Sequence, residues 1–162
     1  MAGSVEHELD LGLPASEAWY LFRMACRLAS EAWFLFGTLM PDVFLKVELV
    51  EGDGGTGSVV KITFGFEGPA GYKEKFTKID NDRRIKEVEI VEGGYLELGF
   101  SAFRVRLEVI EKGKNSSSVK STMEYEFNEE DAPVASLINS QVLAEIALIA
   151  KTHLNKNKPP AT

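Results

Sequence analysis

The chain has 162 residues, 44% of them hydrophobic, which suits one domain spanning 1–162 with a substantial core. A formal net charge of -7, with Lys and Arg scattered among acids, argues against nucleic acid, which needs clustered basic side chains, and against an anionic membrane surface. Cys26 stands alone, so no internal disulfide forms. No run of about 18 apolar residues suggests a membrane span, and the first residues lack the basic start of a secretion signal; a cytoplasmic protein is expected.

Val5, His7, Leu9 and Leu11 alternate with Glu6, Glu8 and Asp10, the pattern of a strand with one dry face. Pro14 then opens a helical segment in which apolar residues recur every three or four positions from Ala18 through Phe36. Within it the string from Ala15 to Phe22 returns, nearly unchanged, from Ala29 to Phe36. A two-heptad offset puts both copies on one face, suited to a homodimer or to capping a ligand; the plainer reading is a core-facing helical segment.

Leu45, Val47 and Leu49 mark a second strand, and Val60, Ile62 and Phe64 a third. Between them, Gly52 to Gly57 fits G-x-G-x-x-G, but a strand follows where a dinucleotide site needs a helix N-terminus, so the loop reads as a hairpin connection. In the next strand Tyr72 and Phe76 share a face with Glu74, which sends a carboxylate toward the core. After it, Lys86 shares parity with Val88 and Ile90, so an amine goes inward too. Phe103, Val105, Leu107 and Val109 mark a long sixth strand, a turn follows at Gly113 to Ser116, and Val119, Ser121, Met123, Tyr125 and Phe127 mark the seventh. Acids from Glu129 to Asp131 then precede the stripe Val134, Ile138, Val142, Ile146, Ile149 of one long helix, and 155–162 should form a loose tail.

This order predicts an α+β fold: a curved antiparallel sheet of seven strands around a long C-terminal helix, with an N-terminal helical segment and an internal hydrophobic cavity. Phe64, Phe76, Tyr95, Phe103, Val105, Ile138 and Val142 are expected to line it. His7 and His153 have no ligand partners at metal spacing, and no serine sits in a nucleophile elbow, so neither a metal nor another cofactor is expected. A partly buried structural role suits His7. What remains is Glu74 and Lys86: burial makes the carboxylate a better base and the amine a readier proton donor, an acid/base pair, unless they form a structural ion pair. Tyr72 could donate a hydrogen bond to a polar ligand atom.

The strings Glu51 to Gly57, Tyr72 to Phe76, Ile79 to Asn81, Arg84 to Lys86 and Val91 to Gly99 resemble the norcoclaurine synthase branch of the plant class-ten pathogenesis-related proteins, which share the helix-grip (START-like) fold of the major birch-pollen allergen. The resemblance implies a cofactor-free Pictet-Spengler condensation of dopamine with an aldehyde, in alkaloid biosynthesis. Lys86 would then polarise the aldehyde and assist loss of water, Glu74 would take the ring proton, and Tyr72 would shape the pocket. Where this chain has Val105, the synthases carry an aspartate. A second expectation is therefore a non-catalytic carrier of a small hydrophobic or aromatic plant metabolite, and a third, ranked last, an interaction protein built on the repeated helix.

Overall fold

The computed structural model describes residues 1–24, 44–64, 71–138 and 148. Its elements are β1 (Ala2–Leu11), α1 (Ala15–Met24), β2 (Phe44–Glu51), β3 (Val59–Phe64), β4 (Gly71–Asp80), β5 (Ile85–Gly93), a 3-10 turn (Gly94–Leu98), β6 (Phe100–Gly113), β7 (Ser116–Phe127) and a short helical stretch, Glu129–Asp131 running into Ala132–Ala135. The strands form one sheet in the order β1-β7-β6-β5-β4-β3-β2, and each neighbouring pair is antiparallel. The expected seven-stranded antiparallel sheet is present. Where a long C-terminal helix was expected the structure describes a short one, Ala132–Ala135, and the N-terminal helical segment is a short helix, Ala15–Met24. The second copy of the repeat, Val142 and the tail lie outside the described residues.

After β1 ends at Leu11 the chain bends through Gly12 and Leu13, and Pro14 opens helix α1, its carbonyl accepting from the Glu17 and Ala18 amides. Its Ala15, Ala18, Trp19 and Phe22 then bury against Leu11, Leu13, Val109 and Val119. The Trp19 indole N–H donates to Asn81 Oδ1 at 3.1 Å, tying the helix to the β4–β5 turn. Strand β1 begins earlier than its hydrophobic alternation indicates, at Ala2, because pairing with β7 runs back to Glu126 and the Met1 ammonium donates to the Phe127 carbonyl at 2.9 Å.

The two faces of the sheet differ in how they treat charge. On the outer face acids and bases pair across strands: Lys73 with Glu92 at 2.7 Å, Arg106 with Glu87 at 3.5 Å, Lys120 with Glu6 at 3.4 Å. Such exposed pairs contribute up to about 1 kcal/mol each. On the inner face, register lays side chains in rungs. One rung begins with Glu74 opposite Ile90. The next runs Phe76, Val88, Val105, Met123, Val5, and the third Ile79, Lys86, Leu107, Ser121, His7. Beyond it Val109, Val119 and Leu9 form a fourth.

These rungs sort into two hydrophobic clusters. Ile90, Phe103, Met123 and Tyr125, with partly buried Val5 and Val105, gather at the end nearer Ala135. Val109 and Val119, with Leu9, Ile79 and Leu107, gather under α1. The third rung is the seam between them, and its polar members are Lys86, Ser121 and His7.

Candidate active site

Glu74 and Lys86 both point inward, as strand parity requires, but two irregularities decide where they stand. The β4–β5 pairing slips once between Lys73 and Glu74 and again between Phe76 and Lys78. The second slip makes Thr77 an extra residue, whose hydroxyl donates to the Glu87 carbonyl at 3.1 Å, and it brings Ile79 rather than Lys78 onto the inner face opposite Lys86. Glu74 and Lys86 are therefore one strand and two rungs apart, about 14 Å along the strand direction. Phe76 occupies the rung between them.

The Lys86 side chain is 1% exposed, and its ammonium nitrogen is a buried donor with no hydrogen-bond partner. It lies 4.3 Å from the centroid of the Phe76 ring. The ring face offers its charged form some compensation, on the order of 2 kcal/mol where water is excluded. Burial pulls its pKa from 10.5 down to about 7. Glu74 shows the mirror effect: loss of hydration pushes its carboxyl from 4.5 up to about 7. No ion pair joins the two, because register separates them. The structural ion pair weighed as an alternative from sequence is absent.

Tyr72, Glu74 and Tyr95 form the other end of the site. The Tyr72 phenol is driven well above its ordinary range, first by burial, then by the Glu74 carboxylate and by Tyr95. Burial also raises Tyr95. Tyr95 arrives through Gly93 and Gly94, whose φ angles of 76° and 56° turn the chain from β5 into the 3-10 turn. A Cβ on Gly94 would stand 3.0 Å from Cβ of Tyr72, so the pair of glycines also permits that close approach. The Tyr95 ring stacks on Phe103 with centroids 4.1 Å apart, and Phe100 meets Phe103 edge-on at 5.7 Å.

Behind Phe76 the glycine-rich loop acts as a clamp. The Gly57 amide donates to the Phe76 carbonyl at 2.7 Å, and the Phe76 amide to the Ser58 carbonyl at 2.9 Å. Gly54 N–H donates to Ser58 Oγ at 2.8 Å. The loop is thus a hairpin connection, as its sequence indicates, and it fixes the residue on which the Lys86 amine rests.

Of the residues expected to line the interior, Phe76 and Phe103 are wholly buried, and Tyr95, Val105 and Ile138 are partly buried against the cluster that holds Phe103. Phe64 ends β3, but its side chain, like Val142, lies outside the described residues. Val105 registers with Val88 and Met123, on the rung between Glu74 and Lys86. Sequence reading passed over Ser121 and gave His7 only a structural role, although His7 has the parity of Val5 and Leu9. Among the described residues no cluster of His, Cys, Asp or Glu could hold a metal ion, and no helix is long and apolar enough to cross a membrane.

Comparison with known proteins places this arrangement. The model of the pathogenesis-related protein Bet v 1 family matches residues 2–157. The chain belongs to that family. Within it, the chain is 44% identical over 160 residues to norbelladine synthase of Narcissus pseudonarcissus, covering 98% of this chain and 95% of that one. It is 33% identical to S-norcoclaurine synthase 2 of Papaver somniferum, over 95% of this chain and 66% of the relative. The structure of norcoclaurine synthase from Thalictrum flavum in complex with dopamine and hydroxybenzaldehyde superposes with a TM-score of 0.84 at 33% identity, over 99% of this chain and 90% of that one. The chain is thus a Bet v 1 family member similar to norcoclaurine synthases in sequence and fold.

Proposed function

We propose that the inner face of the sheet bounds a ligand cavity in which this Bet v 1 protein condenses an arylethylamine, such as dopamine, with an aromatic aldehyde. One observation carries the reading: a fully buried, unpartnered Lys86 amine shares an apolar face with the Glu74 carboxylate, and the two do not neutralise each other. A cavity is supported by Tyr72, Glu74, Tyr95 and Val105, which stay partly accessible while packing beside wholly buried Phe76 and Phe103. The dopamine and hydroxybenzaldehyde held by the Thalictrum flavum synthase support the ligand class.

In the proposed reaction the substrate amine adds to the aldehyde carbonyl to give a carbinolamine. Protonated Lys86 gives its proton to the hydroxyl, which leaves as water, and the carbon–nitrogen bond becomes an iminium. The electron-rich ring then attacks the iminium carbon, and ionised Glu74 takes the proton displaced from the ring carbon. Tyr72 and Tyr95 flank that carboxylate and hold the ring. Burial moves both groups toward neutrality, Lys86 down to about 7 and Glu74 up to about 7, so that proton donor and proton acceptor coexist near neutral pH.

Incubating the protein with dopamine and 4-hydroxyphenylacetaldehyde is expected to give one enantiomer of the tetrahydroisoquinoline in excess. Racemic product formed no faster than in buffer would overturn the catalytic reading. A second reading, a non-catalytic carrier, is favoured by Val105: the resemblance places an aspartate at that position, and a valine there leaves the rung between Glu74 and Lys86 without a charge to hold a cationic amine.

A further inference from the structure

The described residues contain two buried side-chain nitrogens without hydrogen-bond partners, Lys86 Nζ and His7 Nδ1. They lie on the same rung, with Leu107 and Ser121 between them and Ile79 beyond Lys86. That rung is the seam between the two hydrophobic clusters, since Val5 packs into one and Leu9, two residues from His7 on the other side, packs into the other. An unpartnered buried polar atom costs roughly 1–3 kcal/mol, and folded proteins rarely leave one without a use. The mechanism above uses Lys86 and leaves His7 idle.

From this placement we infer that His7 and its register partner Ser121 form a second polar subsite on the inner face, one that hydrogen-bonds a ring-borne hydroxyl of the bound ligand. The chemistry at the site selects that group. An imidazole nitrogen and a serine hydroxyl, the latter residue 2% exposed, can exchange hydrogen bonds with an uncharged hydroxyl. Val5, Leu9, Leu107 and Met123 around them favour an apolar ring as the body that carries it. A carboxylate or phosphate finds no cation there, because Lys86 stands three strand spacings away, about 14 Å between Cα atoms. That span also suits a ligand two aromatic rings long, with one polar end at Lys86 and the other at His7. The inference rests on the ligand cavity proposed above and not on turnover.

Equilibrium binding of 4-hydroxybenzaldehyde and of benzaldehyde tests it. The wild-type protein should bind the hydroxylated aldehyde about tenfold more tightly, and both H7F and S121A should reduce that preference to within about twofold while leaving benzaldehyde affinity unchanged. In the wild-type protein, saturation with 4-hydroxybenzaldehyde should shift the His7 Nδ1 nitrogen resonance, and saturation with benzaldehyde should not; this holds even where a variant fails to fold. A preference that survives both substitutions, equal wild-type affinities, or binding of neither aldehyde would overturn the proposal and assign the two atoms to a buried water. Absent condensation with the hydroxyl preference intact would support it and sink the catalytic reading alone.

Discussion

An amine with no acceptor does nothing to hold a protein together, so the cost of burying Lys86 is best understood through ligand chemistry. Its folded-state pKa is depressed, so its contribution to stability is complete above about 10.5 and is lost as pH falls through about 7. Replacing it removes that loss. K86M should melt higher than wild type, with a gap that widens as pH falls from about 10.5 to about 7 and is constant below, followed by thermal unfolding across that range. Condensation should vanish in K86M while aromatic ligand binding stays within roughly tenfold, about 1.4 kcal/mol. For Glu74 the sign reverses: its raised pKa contributes stability below about 4.5 that is lost as pH rises through about 7. The catalytic reading needs Lys86 protonated and Glu74 ionised, so turnover should follow a bell centred near pH 7. V105D would add a carboxylate between them. It should raise the pKa of Lys86 and move the alkaline limb of the bell upward; an unmoved limb would mean that position 105 does not face the site.

At the scale of elements, the site depends on departures from regular strands. The Gly93–Gly94 turn needs φ angles that an alanine adopts only with strain, and it carries Tyr95 onto Phe103. G94A should cost about 1–3 kcal/mol of stability by chemical denaturation and weaken ligand binding by displacing Tyr95 from Tyr72; a fully stable variant with wild-type affinity would contradict this. The period-two alternation of β4 and β5 was enough to read Glu74 and Lys86 as inward in the sequence, because each shares parity with aromatic or aliphatic neighbours. Their separation was not legible. Register and the extra residue at Thr77 set it, and neither has a signature in the local pattern. The 3-10 turn at Gly94–Leu98 was hidden for a related reason, since its two leading glycines announce a turn without specifying its form. His7 was visible as an inward residue, but its want of a partner depends on β7, more than a hundred residues away.

For the molecule as a whole, the division of charge between two faces of one sheet is the organising fact. Outer-face acids and bases pair in solvent, while among the described residues the inner face admits one carboxylate and one amine and keeps them apart. The seven antiparallel strands and the α+β class followed from the sequence because the strands are well alternated; their order across the sheet is set by long-range pairing. A ligand enclosed by such a sheet binds the folded state alone. A saturating aromatic aldehyde, at about 100 times its dissociation constant, should therefore add roughly 2.7 kcal/mol to unfolding stability, read as a rise in melting temperature. No rise would mean that the face does not enclose a ligand.

The claim beneath all of this is that Lys86 is held inside the protein without water and without a counter-ion. A nuclear magnetic resonance titration of its ammonium group in the free protein tests it most directly. The structure predicts a midpoint near pH 7. A midpoint above pH 10, where a hydrated lysine titrates, would contradict the account.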